Sequence, residues 1–114
     1  MIIDLKCGYT KRQLILATAS LPDEETPEAK DLAKKIDDIG KTFPELSDKK
    51  LLNEGIANSN GITVSELLNG PNYEVLRDEY VLSRIYLFKD EIVKAGITDV
   101  QAWGIICYGL NLLT

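Results

Sequence analysis

Asp99-Val100-Gln101-Ala102-Trp103-Gly104-Ile105-Ile106-Cys107-Tyr108-Gly109-Leu110-Asn111-Leu112-Leu113 carries a single charged side chain, that of Asp99. At about 100° per residue, Val100, Ala102, Trp103, Ile105, Ile106, Cys107, Leu110, Leu112 and Leu113 sweep roughly 240° of a helical wheel. Gln101, Tyr108 and Asn111, beside Gly104, leave a narrow polar strip. A helix that is apolar nearly all round has to be covered on several sides. The segment therefore predicts either the central rod of a helical bundle or a surface closed by another chain. Gly104 and Gly109 each give up about 1 kcal/mol of helix propensity relative to alanine, which predicts a neighbour whose backbone comes too close for a side chain.

Upstream of this segment the helix starts are written in a recurring code. Thr10 with Gln13, Thr63 with Glu66 and Thr98 with Gln101 are capping boxes: the threonine oxygen takes an orphan N–H and the longer side chain returns to the cap backbone. Each has an apolar pair placed as a staple, Tyr9 with Leu14, Ile62 with Leu67 and Ile97 with Ala102. The first helix is expected from Lys11 to Ser20, stopping before Pro22. Thr26-Pro27 opens a second, with proline where its missing N–H costs nothing; Ala29, Leu32, Ala33, Ile36, Ile39 and Phe43 follow helical spacing up to a stop at Pro44. Ser47 is the expected cap of a third helix reaching Asn58. A short fourth runs from Val64 to Asn69, and a long fifth from Tyr73 to Ala95 closes on Gly96. The fold class is thus all-α: a compact bundle of five or six helices in one domain, 1–114, around a central, apolar C-terminal helix. Residues 1–9 break the pattern. Ile3, Leu5 and Cys7 alternate with Asp4 and Lys6 at the period of a strand, and are read as an extended arm laid over the bundle or paired with the arm of a second copy.

Composition narrows function more by exclusion than by signature. The formal charge is −5, shared as −2 over residues 1–57 and −3 over 58–114. No basic block is present to neutralise phosphates, which disfavours nucleic acid and anionic membrane surfaces as partners. The N-terminus lacks the basic start and apolar run of a leader, and the longest apolar stretch is about half a bilayer span, so a cytoplasmic protein is expected. The sequence contains no histidine, which removes Ser-His and Cys-His nucleophile pairs and the commonest zinc ligand. Cys7 and Cys107 read as buried apolar residues in a reducing compartment; the alternative is a bridge joining the two ends of the chain. Among the acids only Glu74 with Asp78 has the spacing of a helical metal pair, and a solvated face accounts for it as well. The expectation is no catalytic residue, no metal and no cofactor.

Two features point to a partner. On the fifth helix, Val81, Ile85, Phe88 and Ile92 form a broad stripe sufficient to dock it, while Leu76, Tyr80 and Leu87, with Ser83 between, form a second stripe among charges. An isolated apolar strip rimmed by charge is the signature of a helix-mediated contact; the alternative is that the N-terminal arm or the first helix covers it. Trp103 reads as a core anchor that would join this interface if the chain dimerises. The predicted function is a non-catalytic, cytosolic protein-binding module, such as an inhibitor, immunity or assembly factor of the kind phage and mobile elements carry, with another protein or a second copy of the chain as partner. The competing reading is a dimeric DNA-binding regulator using residues 47–70, where Ile56-Ala57, Gly61-Ile62 and the capped Thr63-Val64-Ser65-Glu66-Leu67 resemble a helix-turn-helix. That segment carries two lysines against three acids.

Overall fold

The threonine caps form as their spacing predicts. In the computed structural model, which describes residues 7–23 and 25–109, Thr10 Oγ1 accepts from Gln13 N at 3.2 Å while Gln13 Oε1 accepts from Thr10 N at 2.8 Å. The same reciprocal pair joins Thr63 to Glu66 and Thr98 to Gln101, and Thr26 accepts from Ala29 N ahead of Pro27. The resulting elements are α1 (Lys11–Ala19), α2 (Pro27–Gly40), a 3₁₀ turn (Pro44–Leu46), α3 (Lys49–Ser59), α4 (Val64–Asn69), α5 (Tyr73–Lys94) and α6 (Asp99–Gly109). The described residues are 75% helical, with no strand among them. The strand-like alternation in the first six residues and the last apolar positions, Leu110, Leu112 and Leu113, lie outside the described residues.

Two boundaries differ from the sequence reading. Helix α2 ends at Gly40 rather than at Pro44. Thr42 turns back, its Oγ1 donating to Ile39 O at 2.6 Å, and Phe43, constrained by the following proline, leaves helical geometry at φ −127° and ψ 56°. The cap of α3 is Asp48, not Ser47. Its carboxylate accepts from Lys50 N and Leu51 N at 2.9 and 3.4 Å, whereas Ser47 closes the 3₁₀ turn by donating to Pro44 O. A carboxylate also answers the positive end of the helix better than a hydroxyl does. The predicted glycine stop after α5 is present, with Gly96 at φ +106°.

Helix α5 is the beam of the molecule. Its 22 residues span about 33 Å at 1.5 Å each, longer than one small core can cover, and two apolar clusters attach to it at different heights. From its middle to its carboxy-terminal end it gives Val81, Ile85 and Ile92 to the main cluster, where they meet Leu14 of α1, Ile97, and Ala102, Trp103, Ile106 and Cys107 of α6. Ile85 and Ile92 are fully shielded, each worth about 1.5–3 kcal/mol of burial. Its amino-terminal half presents Tyr73, Leu76 and Tyr80 to a second cluster built on Ile56 and Ala57 of α3 and Leu67 of α4. The bundle is accordingly elongated, 48 × 27 × 20 Å, with a radius of gyration of 15.4 Å against about 13 Å for a globule of this length.

Helix α6 occupies the centre of the main cluster, as its composition predicts. One side packs on α5, where Trp103 meets the Tyr86 ring edge-on at 5.1 Å. The other is crossed by α1, which approaches so closely that a Cβ on Gly104 would lie 2.7 Å from the carbonyl oxygen of Leu14 and against Thr18 Oγ1. The missing side chain of Gly104 is thus what lets two helix backbones meet. Around Gly109 nothing among the described residues comes within 4 Å of the corresponding position, so the close-approach reading holds for only one of the two glycines. Helix α2 lies along α5 through Leu32, Ile36 and Ile39, and beyond its end Phe43 packs edge-on to Phe88 at 5.5 Å.

Candidate interaction surface

The second stripe of α5 is divided by the fold. Leu76 and Tyr80 pack into the α3–α4 cluster, so among the described residues α3 and α4, and not the first helix, cover them. The Tyr80 ring sits against α3 where Gly55 leaves room: a Cβ there would fall 2.8 Å from Cζ and closer still to the hydroxyl. On its outer side the ring is covered by Arg84, whose guanidinium carbon stands 5.0 Å from the ring centroid, and Arg84 Nε lies 3.5 Å from Glu45 on the 3₁₀ turn. Ser83 and Leu87 remain exposed, with Ser83 Oγ donating to Tyr80 O at 2.7 Å and Leu87 48% accessible. Trp103 is 2% exposed and belongs to the main core. Of the predicted interface residues, then, Leu76, Tyr80 and Trp103 are engaged within the chain, and only Ser83 and Leu87 are exposed.

The α3–α4 segment is a helical corner turned by Gly61 at φ +66°, with Ile62 N donating to Ala57 O at 3.1 Å. Helix α4 has only six residues, Val64-Ser-Glu-Leu-Leu-Asn69. It offers no cation to a phosphate backbone, the contact that supplies most affinity for DNA. Its buried residue, Leu67, is spent on the second cluster.

A feature the sequence reading did not single out lies at the junction of α2, the 3₁₀ turn, α5 and α6. There an open groove of about 790 Å³ is floored by Ile36, Phe43, Leu46, Phe88, Ile105 and Ile106. It exists because α2 stops at Gly40: the chain swings out through Lys41 and Thr42, and the apolar residues Phe43 and Leu46 re-enter along a different line from Ile36 and Ile39. Asp37, Lys41 and Ser47 stand among its walls, one acid, one base and one hydroxyl. The sequence carries a signal for it, since Phe43 and Leu46 flank a proline immediately beyond an amphipathic helix, but helical spacing assigns Phe43 to the stripe of that helix.

Charges elsewhere tie elements together. Lys89 lies 2.8 Å from Asp90 and 3.1 Å from Asp99, with its ammonium 6.0 Å from the Trp103 ring centroid. Hydrogen bonding to Asp90 and then Asp99 raises its pKa above the usual lysine range. Tyr9 donates to Asp99 Oδ2 at 3.1 Å, and that bond raises the tyrosine pKa. Asp78 of the Glu74/Asp78 pair is held by Arg77 at 3.1 Å. Cys107 is 2% exposed, and burial, with a lesser contribution from Cys7, pushes its thiol up to about 11, the opposite of what a nucleophile requires. No described helix is long and apolar enough to cross a membrane. Compared with family models, curated proteins and solved structures, the chain matches none of them.

Proposed function

We propose that this chain is a non-catalytic protein-binding module, an inhibitor, immunity or assembly factor, that receives an apolar helical segment of a partner protein in the groove between α2, the 3₁₀ turn, α5 and α6. The observation that carries the reading is the groove itself. Its volume of about 790 Å³ suits a row of two or three large side chains, the anchors that an amphipathic helix offers at i, i+3 or i+4, and i+7. Its floor is almost wholly apolar. Burial of a few anchors against Phe43, Leu46, Phe88 and Ile105 would supply the affinity, while Asp37 and Lys41 would favour partners with a charge of each sign flanking the anchors.

The test is a comparison of affinity-purified parent protein with Leu46→Glu and Ile36→Glu from cells of the source organism, each variant first shown by circular dichroism to keep the parent helical signal. The reading expects one protein to be enriched by the parent, lost with both groove variants, and retained by Leu68→Glu, which adds the same charge to an exposed leucine of α4. Equal recovery by parent and groove variants would refute it. Recovery of a second copy of this chain alone would make the partner a homodimer mate.

A further inference from the structure

We infer that Leu112 and Leu113 of this same chain are the resident occupant of the groove, an internal competitor that an incoming partner helix has to displace. The inference rests on the groove being the docking site proposed above, and adds how that site is regulated. Residues 110–114 lie outside the described residues, but they leave the described chain at the groove itself, because Gly109, which ends α6, is one of its lining residues. Around Gly109 no described atom comes within 4 Å of a Cβ position, so among the described residues no other element blocks the start of the segment. Its sequence matches the surface it leaves from. Helix α6 lines the groove with Ile105, Ile106 and Gly109. At about 100° per residue, Leu112 and Leu113 share with those three an arc of roughly 120°, whereas Asn111 falls on the far side. The pattern is one further apolar turn in register with the groove face.

Tethering decides the competition. Joined to a lining residue by a few peptide bonds, the two leucines are present at the groove at an effective concentration on the order of millimolar, and their side chains suit a floor of Phe43, Leu46, Phe88 and Ile105. A free partner segment enters only the fraction of molecules in which the leucines are out. Where they are seated in about nine molecules of ten, the apparent dissociation constant of any competitor is about tenfold weaker than that of the open groove.

The sequence contains two phenylalanines, Phe43 and Phe88, and both line the groove. The full chain made with para-fluorophenylalanine therefore gives two fluorine resonances, each a reporter of the site. With leucine methyl groups isotope-labelled, contacts are read as nuclear Overhauser effects from those methyls to the fluorinated rings. The parent should show effects from Leu112 and Leu113, identified by their loss in Leu112→Ile and Leu113→Ile, which keep the apolar bulk but carry no label. The full chain with Leu112→Ser and Leu113→Ser together should expose the fluorines to a soluble paramagnetic agent. It should also bind the apolar dye anilinonaphthalene sulfonate about tenfold more tightly than the parent, a gain that Leu46→Glu removes. Leu68→Ser, on α4, should change neither readout. Absence of effects from positions 112 and 113 in the parent, effects that arise only between differently labelled molecules in a mixed sample, or equal dye affinity in the parent and the double serine variant overturns the inference. A partner protein recovered by a parent that lacks these contacts would refute the tail alone. The contacts and the dye gain without any recovered partner would refute the partner reading and leave the leucines as the occupant.

Discussion

Replacing Gly104 with alanine should destabilise the protein, although alanine is the better helix former. Propensity alone favours the substitution by about 1 kcal/mol. Against that, the new methyl would sit 2.7 Å from the carbonyl oxygen of Leu14 and in contact with Thr18 Oγ1. The hydroxyl can rotate away, at the expense of its 2.9 Å bond to Leu14 O, but the carbonyl is part of the α1 backbone and can yield only if α1 lifts off α6. Overpacking of this kind costs about 1–3 kcal/mol, and separating the helices also loosens Leu14 and Ala17. The expected net effect is a loss of about 1–2 kcal/mol, which lowers the urea midpoint by about 0.5–1 M for a chain of this size. Adding Thr18→Ala should recover only part of the loss, because the backbone contact stays. Gly109→Ala, placed where no described atom lies within 4 Å, should be neutral or mildly stabilising. A Gly104→Ala protein as stable as the parent, or more so, would refute the claim that α1 and α6 meet backbone to backbone.

Three further outcomes follow from the packing and the chemistry. Tyr80→Ala should cost about 2 kcal/mol by urea denaturation, because the ring fills the space over Gly55; a change within about 0.5 kcal/mol is what a solvent-facing residue would give. Thr98→Ala should cost about 1 kcal/mol by removing the cap of α6, read as a lower thermal midpoint with unchanged helical signal at low temperature. Raising the pH from about 9 towards 11 should lower stability through Cys107. The buried thiol stays protonated in the folded state until about 11, while the unfolded one ionises near its ordinary value of 9.0, so over that window the unfolded state is favoured as protons are lost. Urea midpoints for the parent should fall more steeply across this range than those for Cys107→Ala, and parallel slopes would contradict it.

How much could be read from the sequence is clearest at particular residues. The threonine boxes were legible because a cap and its partner three residues on are a local pattern, decided by backbone geometry alone. Gly104 was legible because a glycine inside an apolar helix demands a neighbour, although which helix supplied it was not. The second stripe of α5 was legible as apolar but not as covered. A helix of 22 residues outruns one core, and periodicity cannot say whether an extra stripe meets a distant part of the same chain or another molecule. Gly55 held the missing clue, a glycine within α3 whose space is taken by Tyr80, 25 positions along the chain. The groove was hidden for a different reason. Its walls depend on where α2 stops, and the three residues between Gly40 and Pro44 turn Phe43 from the end of a helical stripe into one side of an open cleft.

The central claim is that this cleft is where a partner protein sits. Its most direct test is site-specific photo-crosslinking in cells of the source organism, with a photoreactive amino acid at Ser47 on the groove wall and, as control, at Ser65 on the exposed side of α4. The account predicts one discrete crosslinked protein from position 47, abolished by Ile36→Glu, and none of that species from position 65. The same product from both positions, or no product from position 47, would contradict it.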